Sequence, residues 1–319
     1  MAINNRIVRP LEFDEVRTYS ARERMSAFDP ARMARVTDVR QPMDLFLSCL
    51  PRYGQATQLL EAAECVVMAA AAGRQGVWII DAAALERGLA PLLIRLMELN
   101  LVQHLALDLG ATIRDFETAF FGQLKEDATG DLREGVLGMA RETAEWMNGL
   151  INEGARRGFG IGYSLGRGIL DRRAPFDTVS LLANAAGLRV PLTVHVEMGA
   201  DGIQMHQSAD PTLLGKGTFK DFQFFGGQVA ELGDGGVVVA LTGDTYMPRM
   251  FQKALSMSRN QGRPVERFFG VQFNNRPICS EDDIPLRACT GETGRFFQMN
   301  GPMELTGPLF FSAIQRYLR

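Results

Sequence analysis

Apolar residues recur along most of the chain at two alternating spacings, about four residues apart and then two apart or continuous. Residues 56–72 are apolar at helical spacing and end at Gly73, a residue suited to stopping a helix. Residues 76–81, GVWIID, form a short β-rich run bounded by glycine and aspartate. Residues 84–99 then place Leu89, Leu92, Leu93, Leu96 and Leu99 on one helical face, with Pro91 implying a kink or a later start near Leu89. A strand is expected over 104–109 and a helix over 113–121. Strand and helix alternating at this interval predict parallel strands joined by crossover helices.

The same alternation continues downstream. A long helix is expected over 131–155, polar along one side, followed by the glycine-dense stretch 158–168, GFGIGYSLGRG. Helices are expected over 176–186, 218–232, 250–260 and 309–318, and strands over 190–197, 236–242 and 267–274. The fold class expected is therefore α/β, a Rossmann-like doubly wound parallel sheet, formed by residues 56–319. The first fifty-five residues are arginine-rich, poorly periodic and punctuated by Pro10, Pro30, Pro42 and Pro51. They read as an N-terminal arm with short helical pieces, which either wraps a neighbouring subunit or lies on the surface. No internal repeat and no low-complexity linker interrupts the pattern.

Composition narrows the function. The net charge is −3 with acids and bases interspersed, which speaks against a nucleic-acid binder and against a polybasic membrane surface. Cys49, Cys65, Cys279 and Cys289 include no CxxC pair, so a reducing, cytoplasmic location is expected. Residues 1–14 lack the apolar stretch of a signal peptide, and the longest apolar run, 65–72, is too short to span a bilayer. The partner expected is a small molecule.

Candidate chemistry gathers in loops after the strands. Four such loops, at 81–85, 110–112, 199–202 and 243–244, are rich in small residues, and ligands of doubly wound sheets lie outside the strands' carboxyl ends. None is a GxGxxG; the stretch 158–168 mimics one but follows no clear strand. The segment 195–210, HVEMGADGIQMHQSAD, holds two of the three histidines, His195 and His206, with Glu197, Asp201 and Asp210. Strand periodicity sets His195 and Glu197 on one face. Such a cluster suits general acid–base catalysis, or at most a metal-assisted hydrolase on His195, His206 and Asp210, although no HxH or HxxxH pair is present. The alternative for each histidine is a hydrogen-bonded core residue or a surface residue. Lys216, between Gly215 and Gly217, reads as a lysine in a glycine loop, either capping a turn in solvent or acting as a nucleophile.

Three segments together resemble deoxyhypusine synthase. They are 76–116, with its strand, small-residue loop, amphipathic helix and glycine loop; 176–202, with its helix, Val-Pro-Leu strand and Asp-Gly loop; and 218–262, with its VVVALTG strand and KALSMSRNQG helix. The resemblance implies NAD held between subunits of a homo-oligomer, a dimer or tetramer. It also implies an NAD-dependent transferase that oxidises a polyamine and passes its aminobutyl group on through an enzyme-lysine imine. It points to Asp81, Ala83, Gly110, Ala111, Asp115, Asp201, Gly243 and Asp244 for the cofactor, and to no metal. The sequence departs from that pattern at the chemistry. The stretch 288–297, ACTGETGRFF, where the family carries its lysine in Trp-Gly-Lys, has none, and Lys253 is the last lysine of the chain. Arg295 cannot replace it, because a guanidinium stays protonated. The family's histidine after the glycine loop is also absent; here Thr242-Gly243-Asp244 is followed by Tyr246, Met247 and Pro248. Arg114 stands where the family has an acidic residue, a reversal that favours an acidic ligand. The expectation is an NAD-dependent enzyme for an amine or amino-acid-like molecule, with His195 or His206 as acid–base and no lysine imine. A non-catalytic ligand-binding relative is the alternative.

Overall fold

The computed structural model describes residues 16–23, 41–122, 126, 128–275 and 278–318. Helices α1 (Gln41–Cys49) and α2 (Gly54–Ala71) lead into β1 (Gly76–Ile80). After α3 (Ala82–Glu86) and α4 (Ala90–Glu98), β2 (His104–Asp108) follows. Five helices then precede the next strand: α5 (Leu109–Phe121), α6 (Ala128–Glu134), α7 (Arg141–Arg156), α8 (Ile161–Asp171) and α9 (Leu181–Leu188). The chain closes as β3 (Leu192–His195), α10 (Pro211–Ala230), β4 (Val237–Thr242), α11 (Tyr246–Asn260), β5 (Phe269–Asn274), α12 (Pro285–Thr290), β6 (Arg295–Asn300) and α13 (Met303–Tyr317).

The six strands form one parallel sheet in the order β3-β2-β1-β4-β5-β6. Strand order reverses between β1 and β4, the switch point of a doubly wound fold. Side chains alternate between two apolar layers, as a pleated strand requires. Trp78, Ile80, Leu105, Leu107, Val239 and Leu241 pack in the layer that includes α2, α4, α5 and α13. Val77, Ile79, Ala106, Val238 and Ala240 pack in the layer of α10 and α11. Among the described residues no helix is long and apolar enough to cross a membrane.

Several expected elements are shorter than their periodicity suggested. The helix expected over 84–99 is two helices, parted at Gly88 with φ +75°, and Pro91 sits in the first turn of α4, where its missing N–H costs nothing. The helix expected over 131–155 is broken between α6 and α7 by Gly135 and Gly138, both at positive φ. The helix expected from 176 starts at Leu181, because Ser180 caps it through Ala183 N–H. Strand β6 was not anticipated. It is an edge strand, and its exposed-edge amides are taken by α2: Gln298 N–H donates to Gln58 Oε1 and Asn300 N–H to Gln55 Oε1. Of the N-terminal arm, residues 1–15 and 24–40 lie outside the described residues. Residues 16–21 lie against the same chain, where Tyr19 N–H bonds Met139 O and Arg141 N–H bonds Tyr19 O.

One polar group of the interior has a consequence for stability. Thr193 Oγ1 lies 2.9 Å from His104 Nε2 and 3.0 Å from His195 Nε2, beneath the ring of Phe225. His104 Nδ1 is buried without a partner, so its proton belongs on Nε2, donated to the threonine, whose hydroxyl then donates to His195. Burial pushes both imidazoles down to about 3. A folded pKa below the unfolded one means stability that is full above about pH 6.5 and lost as pH falls toward about 3. His104→Leu is therefore expected to gain on the wild type in urea-denaturation midpoint as pH falls from about 7 to about 4. A gap that does not change with pH would rule this assignment out.

Candidate active site at the carboxyl edge of the sheet

The strand ends carry aspartates because an aspartate there can cap the next helix. Asp81 follows β1 and accepts from Ala83 N–H at 2.9 Å and from Gly243 N–H, across the switch point, at 2.5 Å. Asp108 ends β2 and accepts from Ala111 N–H at 2.6 Å. Small residues keep the turns together. A methyl group on Gly243 would lie 2.7 Å from the Ala83 side chain. One on Gly110 would lie 3.4 Å from Asp201 Oδ1 and 3.7 Å from Asp108 Oδ1, so a carboxylate that ends β2 and one in the loop after β3 converge on one point.

Their electrostatics follow from this crowding. Burial pushes Asp108 well above the carboxylate range, and Asp81 and Asp201 push it further. Burial raises Asp81 to about 6, backbone donation from Gly243 opposing it and Asp244 adding to it. Asp201 also rises to about 6, through burial, with Arg114 pulling it down and Glu197 up. Tyr246 is raised by burial and by Glu197, Asp108, Asp201 and Asp244, which places all four carboxylates around one phenol. Carboxyls raised to about 6, as Asp81 and Asp201 are, change charge close to neutral pH.

Arg114 changes the picture drawn from sequence. Its Nε lies 3.2 Å from Glu86 Oε1, and Nη1 lies 3.9 Å from Glu117 Oε2. The guanidinium is engaged within the wall, and carboxylates outnumber it among the described residues. The guanidinium that suggested an acidic ligand is thus paired with carboxylates of the wall.

Two cavities open here. One of about 340 Å³ runs from Gly110 and Asp201 past Arg114 and Glu117 to Glu126 and Gly138. The other, about 250 Å³, lies between Thr242–Thr245 and Asn274, Asn275 and Cys279. They bear differently on a dinucleotide. The amides of Ala83 and Gly243 are held by Asp81, and those of Ala111 and Ala82 by Asp108, so the turns after β1 and β2 hold the protein's own carboxylates where a pyrophosphate would sit. The turn from β4 into α11 borders the second cavity, but its Gly243 N–H is held by Asp81 and its Tyr246 N–H by Asp244 Oδ1 at 2.9 Å. The residues that could hold a dinucleotide at this edge are the polar side chains around the second cavity, Thr245, Asn274 and Asn275.

Asp81, Ala83, Gly110, Ala111, Asp201, Gly243 and Asp244 are all found at this edge. Asp115 is not. It faces the interior and accepts from Ser180 Oγ, Leu181 N–H and Leu182 N–H, capping α9. His195 ends β3 inside the core and lines neither cavity; Glu197 lies beyond the strand, so the shared strand face does not form. His206 is buried beside α7, its Nδ1 accepting from Ser208 N–H at 3.1 Å, and burial lowers its pKa against the pull of Glu145. Lys216 is not in a loop. Asp210 caps α10 through Thr212 and Leu213, so the helix begins before Lys216, which faces solvent. No group of metal-ligating side chains forms among the described residues. Asp108, Tyr246, Glu117 and Glu126 were not assigned a role from sequence. The available signal was an aspartate at a strand end followed by small residues, which Asp81 and Asp108 share.

No known family profile matches the sequence, and no curated protein matches it. Solved structures share its fold. A LOR/SDH-type protein of Methanococcus maripaludis overlays 83% of this chain and 70% of its own, at TM-score 0.51 and 12% identity. AgrE, solved as a ternary complex with ornithine and NAD+, overlays 84% of this chain at TM-score 0.52 and 14% identity; the chain spans 34% of AgrE's length. A candidate deoxyhypusine synthase of Entamoeba histolytica overlays 81% of this chain at TM-score 0.46 and 11% identity.

Proposed function

We propose that this chain is an enzyme that binds a small cationic amine or amino-acid-like molecule at the carboxyl edge of its sheet and works with a nicotinamide dinucleotide. The observation that carries this reading is the convergence of Asp108 and Asp201 beside Gly110, with Asp81, Asp244, Glu197 and Tyr246 around them. Carboxylates gathered at one edge of the sheet attract an ammonium group and repel an anion. The fold shared with AgrE, which binds ornithine and NAD+, is consistent with it, as is the sequence resemblance to deoxyhypusine synthase.

In this mechanism Asp201 and Asp108 bind the ammonium group, and the one that is ionised accepts its proton. Both carboxyls are then neutral, and the pair returns to its starting state by losing one proton to solvent. Thr245, Asn274 and Asn275 would hold the dinucleotide, which supplies a hydride acceptor when bound. With no lysine in the stretch 288–297, no covalent enzyme imine is required. Incubation with NAD+ and a panel of amines and basic amino acids, followed by the absorbance of reduced nicotinamide, tests the reading. Reduction with at least one cationic substrate is expected. Absence of reduction, together with no shift in melting temperature on adding NAD+, would remove the dinucleotide from the account.

A further inference from the structure

The larger cavity has a far wall that the mechanism above does not use. Glu126 lies there, almost fully buried, 2.5 Å from the hydroxyl of Tyr19 and 3.1 Å from Gly138 N–H through each of its oxygens. Tyr19 comes from the N-terminal segment. Its backbone pairs with Met139 and Arg141, and next to it Ser20 Oγ and Ala21 N–H both bond the Glu142 carboxylate. Ala21 is buried by this contact. The wall is also locked to the loop that carries Asp201. Gly138 and Gly202 meet backbone to backbone, so that a methyl on Gly202 would come within 2.4 Å of Gly138 O. The two ends of the cavity, Asp201 and Glu126, thus belong to one packed unit, and residues 16–21 hold its outer side.

We infer that residues 16–21 back the cavity wall at Glu126, and that Tyr19 is a positioning residue that aims Glu126 at the distal end of the bound ligand. Asp201 at one end, with Asp108 behind it at Gly110, and a fixed carboxylate at the other discriminate a ligand with a second cationic end from one without it. This rests on the reading of the site as one for cationic amines. The N-terminal segment therefore contributes to specificity, whereas the sheet edge supplies the chemistry.

The test is calorimetric binding of a series of α,ω-diamines and, for the best binder, of the monoamine with the same carbon chain. The wild type is expected to prefer the diamine by about tenfold, the effect of one charge-assisted contact. Tyr19→Phe removes only the hydroxyl, and Glu126→Gln removes only the charge. Both are expected to reduce that preference to about twofold or less, while binding of the monoamine is unchanged. Ser20→Ala loosens the same segment without touching Glu126, and its preference is expected to stay as in the wild type. If Tyr19→Phe and Ser20→Ala weaken both ligands equally, the segment is merely structural and the inference is overturned while the site reading stands. If the wild type binds the amines but Glu126→Gln keeps the full preference, the distal carboxylate has no role and the inference is likewise overturned. If the wild type binds no amine at all, the site reading fails and the inference falls with it.

Discussion

Replacing Asp221 by alanine is expected to lower the stability of the fold by about 3 kcal/mol or more. Asp221 projects from α10 into the junction of α8 and β3, where one carboxylate oxygen accepts from Gly162 N–H and from Val194 N–H, each at 2.9 Å. The other oxygen fills the space where a side chain at Gly160 would begin: a methyl there would lie 1.7 Å from it. Truncation leaves the amides of Gly162, Val194 and Ile161 without this acceptor and opens a gap beneath the first turn of α8. Burial pushes Asp221 up to about 7, against donation from the amides of Gly162, Val194 and Ile161. A folded pKa above the unfolded one means that its contribution is full below about pH 4 and falls as pH rises through about 7. Asp221→Asn keeps an acceptor and has no charge to bury, so it is expected to cost less than alanine and to close on the wild type between about pH 6 and about pH 8. Urea unfolding of the three proteins at both pH values measures this. An alanine variant as stable as the wild type would contradict it.

Asp108→Asn is expected to reduce turnover by about a hundredfold to ten-thousandfold while leaving the fold nearly as stable. The asparagine oxygen can still accept from Ala111 N–H and cap α5, since asparagine caps about as well as aspartate. What it cannot do is carry charge or share a proton with Asp201. Steady-state rates, with a melting temperature as the control for folding, separate the two roles. Unchanged turnover in a folded Asp108→Asn would remove the carboxylate pair from the mechanism.

The architecture was largely legible because parallel strands are buried on both faces and stand out as apolar runs. GVWII, HLALD and VVVALT each carry that signature. RFFQMN does not: β6 is an edge strand, its alternate residues are polar, and the Gln55 and Gln58 side chains that satisfy its amides lie some 240 residues away. The glycine-dense stretch 158–168 was ambiguous for a related reason. Its glycines exist for contacts made by distant parts of the chain: Gly160 for the Asp221 carboxylate, Gly162 for Leu192 O of β3, Gly166 for Leu182 O of α9. Asp221 fills the place at the start of α8 that a phosphate would take in a true GxGxxG turn.

The site was legible where position along a strand decides it. Asp81, Gly110, Asp201 and Gly243 follow strands, and the carboxyl ends of all parallel strands meet at one edge. Rarity misled elsewhere. His195 and His206 stood out as two of three histidines, yet both are buried by hydrogen bonds with Thr193 and Ser208. Lys216 was flanked by glycines that belong to a helix, where Gly217 makes room for Ile161 of α8. Asp108 was overlooked because HLALDL reads as continuous strand, and only the capping bond to Ala111 marks where the strand stops.

The central claim is that the strand-end carboxylates form a binding site for a cation. Its most direct test is the affinity for ornithine or putrescine, measured by titration calorimetry at about pH 5 and about pH 8. Burial raises Asp81 and Asp201 to about 6, so these groups are neutral at the lower pH and charged at the higher. The account predicts binding that strengthens by about tenfold or more with rising pH, an increase that Asp201→Asn flattens. Affinity that is independent of pH, or a preference for a carboxylate ligand without an amine, would contradict it.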